Sequence, residues 1–359
     1  MKTFKQALLA LAIFFAAGEV VVRVDKKFLF FQGSRMVEVS VETRRSAELA
    51  AVESGQLVAS ARDLRVMILG DSKIYGPGVD FHEVFSQRLK ALLAADKSLP
   101  YDNVFVLDVS RGGYNTLMNR LTYFEYVDKF RPQLVVLGNN YEDVYGNQDV
   151  PEAISKSQLS VHEQTAKVFE ERKKGENTPL FQRIRETVYH SSLLEFIMAG
   201  LNLELKLRGV VVPGSVFHHL IYESHREDYP GWIKTKAHLR DMIADCRQRG
   251  IALIVYSAPE LNMVENYAPY DTLDHKLAAF FESNAIPYVH GVSPFRGRET
   301  SELALSRYDG HANAQGHQLM AQQVYPVIVE TLSRTPHARE TFHAARKLAL
   351  QHVAAKAAH

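Results

Sequence analysis

Met67-Ile-Leu-Gly-Asp-Ser-Lys-Ile-Tyr-Gly-Pro-Gly-Val79 is the stretch from which the fold of this 359-residue chain can be read. An apolar run over 66–69 ends in Gly70-Asp71-Ser72, and a loop with Gly76, Pro77 and Gly78 follows. A short apolar run closed by turn residues is the pattern of a buried strand. Glycine permits a sharp turn at its end, and the small Ser72 can then project from the rim of a sheet rather than pack inward. Alone, the tripeptide is a weak signal, since a turn serine capping the next helix has the same pattern. A second stretch, Tyr308-Asp-Gly-His-Ala-Asn-Ala-Gln-Gly-His317, puts Asp309 two residues before His311, ahead of an amphipathic helix. A serine, a base and an orienting carboxylate are the parts of nucleophilic acyl transfer.

Outward from this core the chain alternates apolar strands with amphipathic helices. Strands are predicted over 64–69, 104–107, 134–137, 251–256 and 286–289, and helices over 84–95, 117–129, 232–249, 272–284 and 314–332. The strands are apolar on consecutive residues, as expected where helices cover both faces of a parallel sheet. The expected fold is therefore α/β, a three-layer α/β/α, flavodoxin-like domain over residues 64–332. Residues 145–230 break the rhythm, with helical stretches at 151–174 and 187–207. They read as a helical insertion, either a cap over the strand ends or a peripheral hairpin. The tail, 333–359, is rich in alanine and basic residues and reads as a solvated helix.

Residues 1–24 have the form of a targeting segment: Lys2 and Lys5, an apolar run over 7–18, Glu19, then Val20-Val21-Val22 before Arg23. The run is short beside the roughly 20 residues of an ordinary spanning helix. No good small-x-small cleavage site follows it, so an uncleaved N-terminal membrane segment is expected, with a cleaved secretion signal as the alternative. Either leaves the rest exported, in a periplasmic or other extracytoplasmic setting. Residues 25–63 carry mixed charge and read as a connecting segment. Across the whole chain 42 basic residues face 41 acidic ones, which gives no bulk attraction to nucleic acid. The single cysteine, Cys246, excludes an intrachain disulfide and is expected as buried helix packing. No C-x-x-C or H-E-x-x-H spacing occurs, and neither metal nor cofactor is expected; His218, His219 and His225 form only a loose cluster.

Taken together, four blocks in order resemble the SGNH (GDSL-like) hydrolase family, over roughly residues 64–148 and 232–332. Gly70-Asp71-Ser72 implies Ser72 as nucleophile. Asp108-Val-Ser-Arg-Gly-Gly113-Tyr-Asn places Gly113 at the family's oxyanion-hole glycine. Leu137-Gly-Asn-Asn140 places Asn140 at its oxyanion asparagine. Asp309-Gly-His311 matches the triad block, which implies His311 as base and Asp309 as its orienting carboxylate. The chain departs from the pattern twice. The family's aspartate commonly stands three positions before the histidine, where this chain has Tyr308. Tyr141-Glu142-Asp143 follows Asn140, and a shifted match would put Glu142 at the asparagine's place, where a carboxylate would repel an oxyanion.

The residues support this independently. A serine nucleophile needs a base within hydrogen-bond reach and a group fixing that base's tautomer. The oxyanion of the intermediate needs preorganised donors, here the backbone N–H groups of Ser72 and Gly113 and the amide of Asn140. The resemblance implies an ester substrate, an O-acetylated polysaccharide or a lipid ester. Two alternatives stay open: a polysaccharide O-acetyltransferase using the same acyl-enzyme, and a non-catalytic glycan-binding or scaffold protein on this fold. Asp71 is expected as a hydrogen-bonder beneath the nucleophile, Lys73 as solvated, and His317 as a packing or surface histidine.

Overall fold

The computed structural model describes residues 46–60, 62–146, 222–306 and 309–334, together with Ile13, residues 15–21 and a few positions between 201 and 210. Five parallel strands form its sheet: β1 (Asp63–Leu69), β2 (Asn103–Asp108), β3 (Leu134–Asn139), β4 (Ala252–Ser257) and β5 (Tyr288–His290). They lie in the order β2-β1-β3-β4-β5. In register, Val66 pairs with Leu134 and Val135 lies beside Leu253, so strands that meet late in the chain sit next to early ones.

Alternate side chains of each strand feed two cores. Leu64, Val66, Ile68, Val106, Leu134, Val136, Ile254 and Tyr256 point to one face. There they meet α3 (Phe85–Ala95) through Phe85, Leu89 and Leu93, and α9 (Ala314–Arg334) through Met320, Val324 and Ile328. Met67, Leu69, Leu107, Val135, Leu137, Leu253 and Val255 point to the other. That face is covered by α4 (Thr116–Phe130) and α6 (Pro230–Arg249), and by Leu277 and Phe281 of α7 (Ala268–Ser283). Both faces are thus dry, which is why the strand sequences run apolar without alternation. The parallel sheet covered by helices on both faces is the one expected from the sequence.

Other elements differ. A helix α1 (Ala47–Glu53), capped by Ser46 accepting from the Leu49 N–H, lies within the expected connecting segment and buries Leu49 and Val52 in the second core. β5 starts at Tyr288 rather than 286, because Pro287 has no N–H to give a ladder. A small antiparallel hairpin, β6 (Ala304–Ser306) with β7 (Asp309–Ala312), stands apart from the main sheet. Most of the predicted N-terminal segment, of the 145–230 insertion and of the tail lies outside the described residues. Among the described residues no helix is long and apolar enough to cross a membrane.

Order 2-1-3-4-5 has one switch point, between β1 and β3, where successive connections leave in opposite directions. In open α/β sheets ligands bind outside the carboxyl ends of the strands at such a point. Ser72 follows β1 and Asn140 follows β3.

Candidate active site

Ser72 opens a single helical turn, α2 (Ser72–Tyr75), three residues past the end of β1. Asp71 caps it, its Oδ1 accepting from the Lys73 N–H at 3.0 Å, and Gly76 ends it in the left-handed region at φ 71°. The turn is seated by Ile74, which is fully buried over β3. A side chain on Gly138 of β3 would collide with Ile74, so that glycine is a condition for the position of α2. In the sequence Gly138 stood out only as part of the Leu137–Asn140 block, with no role of its own.

The histidine arrives from the far end of the chain. Hairpin β6–β7 aligns Ser306 with Asp309, whose N–H donates to the Ser306 Oγ at 3.1 Å. His311 leaves the same strand toward α2. Its Nε2 lies 2.7 Å from the Ser72 Oγ, and its Nδ1 lies 2.6 Å from Asp309 Oδ1. With the ring neutral, Ser72 donates to Nε2 and Nδ1–H donates to Asp309. The His311 N–H donates to the same Oδ1 at 3.1 Å, which fixes the carboxylate against its own strand. The two-residue spacing therefore brings the three side chains together. The imidazole is 27% exposed and the carboxylate 15%. Burial works against a charge on His311, but the hydrogen bond to Asp309 and its negative charge outweigh it, leaving the imidazole pKa raised. Burial likewise opposes the charge of Asp309, and the bonds from His311 overcome it and hold the carboxyl below its usual range.

Gly113 occupies the left-handed region at φ 76° within a turn closed by the Tyr114 N–H donating to the Arg111 carbonyl. The Arg111 N–H donates to the Gly70 carbonyl at 3.1 Å, which ties this loop to the strand end before Ser72. Asn140 is 1% exposed and held at both ends of its amide. Its Nδ2 donates to Asp71 Oδ2, and its Oδ1 accepts from the Glu142 N–H at 2.6 Å. Glu142, the alternative for this place, is about half exposed and turns an oxygen to within 3.8 Å of Lys73 Nζ.

Lys73 differs from expectation. It is not solvated but 6% exposed, with Nζ 3.1 Å from Glu260 Oε2 and 5.0 Å above the Tyr141 ring. The Tyr141 hydroxyl donates to the same Glu260 oxygen at 3.1 Å. Burial disfavours the ammonium, but Glu142, Glu260 and Asp71 around it prevail and raise its pKa. Behind it, Asp143 Oδ2 accepts from the Asn140 N–H at 3.1 Å. Burial raises the Asp71 pKa from its ordinary value, with Lys73 only partly offsetting it. Burial lifts that of Asp143 well above its ordinary value, and the charge of Asp71 adds to the rise. Glu260 was not singled out in the sequence, and Tyr141 and Asp143 entered only as the neighbours of Glu142. The available signal was their place, polar residues immediately past the carboxyl ends of apolar strands.

His317 is fully buried, its Nδ1 accepting from the Phe85 N–H at 3.2 Å, and it packs against Gly76; it serves structure, as expected. Cys246 is also buried, its thiol pushed up to about 11 by burial and donating to the Tyr123 hydroxyl at 3.4 Å. His225 is buried beside Ser224 and Trp232, and His218 and His219 lie outside the described residues. Among the described residues no group of three His, Cys, Asp or Glu side chains is set to hold a metal ion. A cavity of about 650 Å³ lies between α1, α3 and β2, and none of the predicted site residues lines it.

No family model matches the chain, and no curated protein matches it in sequence. Solved structures do show similarity. The chain resembles TesA at 13% identity over 74% of this chain and 97% of that one, with a TM-score of 0.41. It resembles the psychrotrophic esterase EstA from Pseudoalteromonas sp. at 12% identity, over 75% and 99%, with a TM-score of 0.40. It resembles Axe2, an acetylxylan esterase from Geobacillus stearothermophilus, at 14% identity, over 74% and 94%, with a TM-score of 0.42. Similarity at this level says nothing about chemistry, which rests on the side chains described above.

Proposed function

We propose that the chain is a serine acyl-ester hydrolase of the SGNH type. The observation that carries this reading is the hydrogen-bonded series from Ser72 through His311 to Asp309, at 2.7 and 2.6 Å, assembled from opposite ends of the domain. Such spacing is that of a nucleophile, its general base and the group that orients the base.

In the proposed course, Ser72 Oγ bonds to the ester carbonyl carbon as its proton passes to His311 Nε2. The carbonyl π pair becomes an oxyanion, stabilised by the backbone N–H groups of Ser72 and Gly113 and by Asn140. An amide nitrogen carries two hydrogens, and Asp71 takes one from Asn140, so the second is the one offered to the oxyanion. Return of the proton from His311 to the leaving oxygen breaks the ester C–O bond and leaves an acyl-serine. Water then attacks the acyl carbon, giving a proton to His311. The acid departs as the C–Oγ bond breaks and Ser72 recovers its proton. Asp309 stabilises the imidazolium at both stages.

The substrate proposed is an ester on exported material, with O-acetylated polysaccharide first and lipid ester second. Export, and anchoring by an uncleaved segment, rest on the charged-then-apolar pattern of residues 1–24. The decisive test is labelling of the full chain by a serine-reactive fluorophosphonate. Labelling that disappears in Ser72→Ala supports the reading, and an unlabelled wild type removes it in favour of a non-catalytic protein. Product analysis with and without a sugar acceptor then separates hydrolysis from acyl transfer.

A further inference from the structure

Glu260 lies just past the end of β4, at the start of the 3-10 turn Leu261–Asn266, and is 8% exposed. Its Oε2 meets Lys73, the residue after the nucleophile, at 3.1 Å. Its Oε1 faces Gly310, between Asp309 and His311, where an added Cβ would lie only 2.5 Å from it. One carboxylate therefore touches both halves of the reacting series. The alternative, a solvated surface pair, is excluded by burial of both partners. A buried ion pair is also weak evidence for stability, since an apolar pair of equal volume is often as good.

We propose that Lys73 and Glu260 are a positioning pair that ties the serine's helical turn to the histidine's strand, keeping Ser72 and His311 in hydrogen-bonding register and setting the charge around the imidazole. The proposal rests on the acyl-transfer reading above. The charged groups facing His311 are Asp309 on its own strand and Asp71 and Lys73 on the nucleophile turn. Glu260 acts on Asp309 from the turn after β4, and Glu142 acts on Lys73 and Asp71 from the end of β3. Lys73 pulls the imidazole pKa down, while each carboxylate works upward on its neighbours.

The experiment uses the full chain and its Lys73→Met, Glu260→Gln and double variants. It reads the His311 titration by NMR and the rate of fluorophosphonate labelling against pH. Lys73→Met is expected to raise the titration midpoint and Glu260→Gln to lower it, with the double variant between them. Labelling at the optimum is expected to fall about 100-fold in the singles, as for a small misplacement of reacting groups, with partial rescue by Lys73→Arg. Midpoints that move the same way in both singles, or not at all, overturn the pair's role. If the singles do not fold, a folded double variant that labels at the wild-type rate overturns it equally. A wild type that is not labelled removes the acyl-transfer reading and this one with it, which distinguishes the two failures.

Discussion

Asp309 has two tasks at one oxygen: it holds the His311 ring in a single tautomer and it keeps the imidazole's affinity for protons above that of a free histidine. His311 must be neutral to accept the serine proton, so activity falls as pH drops through its raised pKa. The acid limb of kcat/KM is expected above the free-imidazole value of about 6.5. Asp309→Asn should lower that limb and cut kcat by about 10⁴-fold, as loss of the orienting carboxylate does in serine triads generally. A pH–rate profile of both proteins checks both points. Asn140→Ala should cost about 100- to 1000-fold in kcat, the usual loss for one oxyanion donor, with KM little changed. At this scale the sequence was legible where a residue's placement depends on its own block, as for Ser72, Asp309 and His311, which the structure brings together. It misled at Lys73, because the carboxylate that buries it, Glu260, belongs to a distant turn that no local pattern announces.

The elements were legible wherever burial was complete on both sides. β1, β3 and β4 stood out as apolar runs because helices cover both faces of the sheet. Hairpin β6–β7 did not, since Ala-Leu-Ser and Asp-Gly-His-Ala are too short to show alternation and Asp-Gly reads as a turn. Helix α1 was hidden for a related reason: its few buried apolar residues sit in a stretch of mixed charge. Gly138→Ala tests the seat of the nucleophile turn. Its Cβ must displace Ile74, so thermal unfolding is expected to show about 1–3 kcal/mol of lost stability, the usual cost of overpacking, together with a slower labelling rate. Asn313 precedes α9, its Oδ1 accepting from the Gly316 N–H at 3.0 Å. Asn313→Ala should cost about 1 kcal/mol in the same measurement, as lost helix caps do.

For the molecule as a whole, buried carboxyls make stability depend on pH in an unusual direction. Asp143 binds its proton more tightly in the folded state than in the unfolded chain. Its contribution is therefore full below the ordinary aspartate range and is lost as pH rises toward its folded pKa. Asp143→Asn, which cannot ionise, should gain in unfolding midpoint relative to wild type as pH rises above the ordinary aspartate value of about 4. Paired scans of the two proteins give the sign directly. The three-layer architecture was legible in the sequence because it follows from periodicity, whereas the excess of acids over Lys73 behind the nucleophile arises only when separate strand ends converge. The hairpin that carries His311 shares no ladder with the five-stranded sheet that delivers Ser72. Fraying of that small ribbon would part His311 from Ser72 while the sheet stays intact. Heat inactivation should therefore precede loss of the circular-dichroism signal, and β7 amides should exchange with deuterium sooner than those of β3.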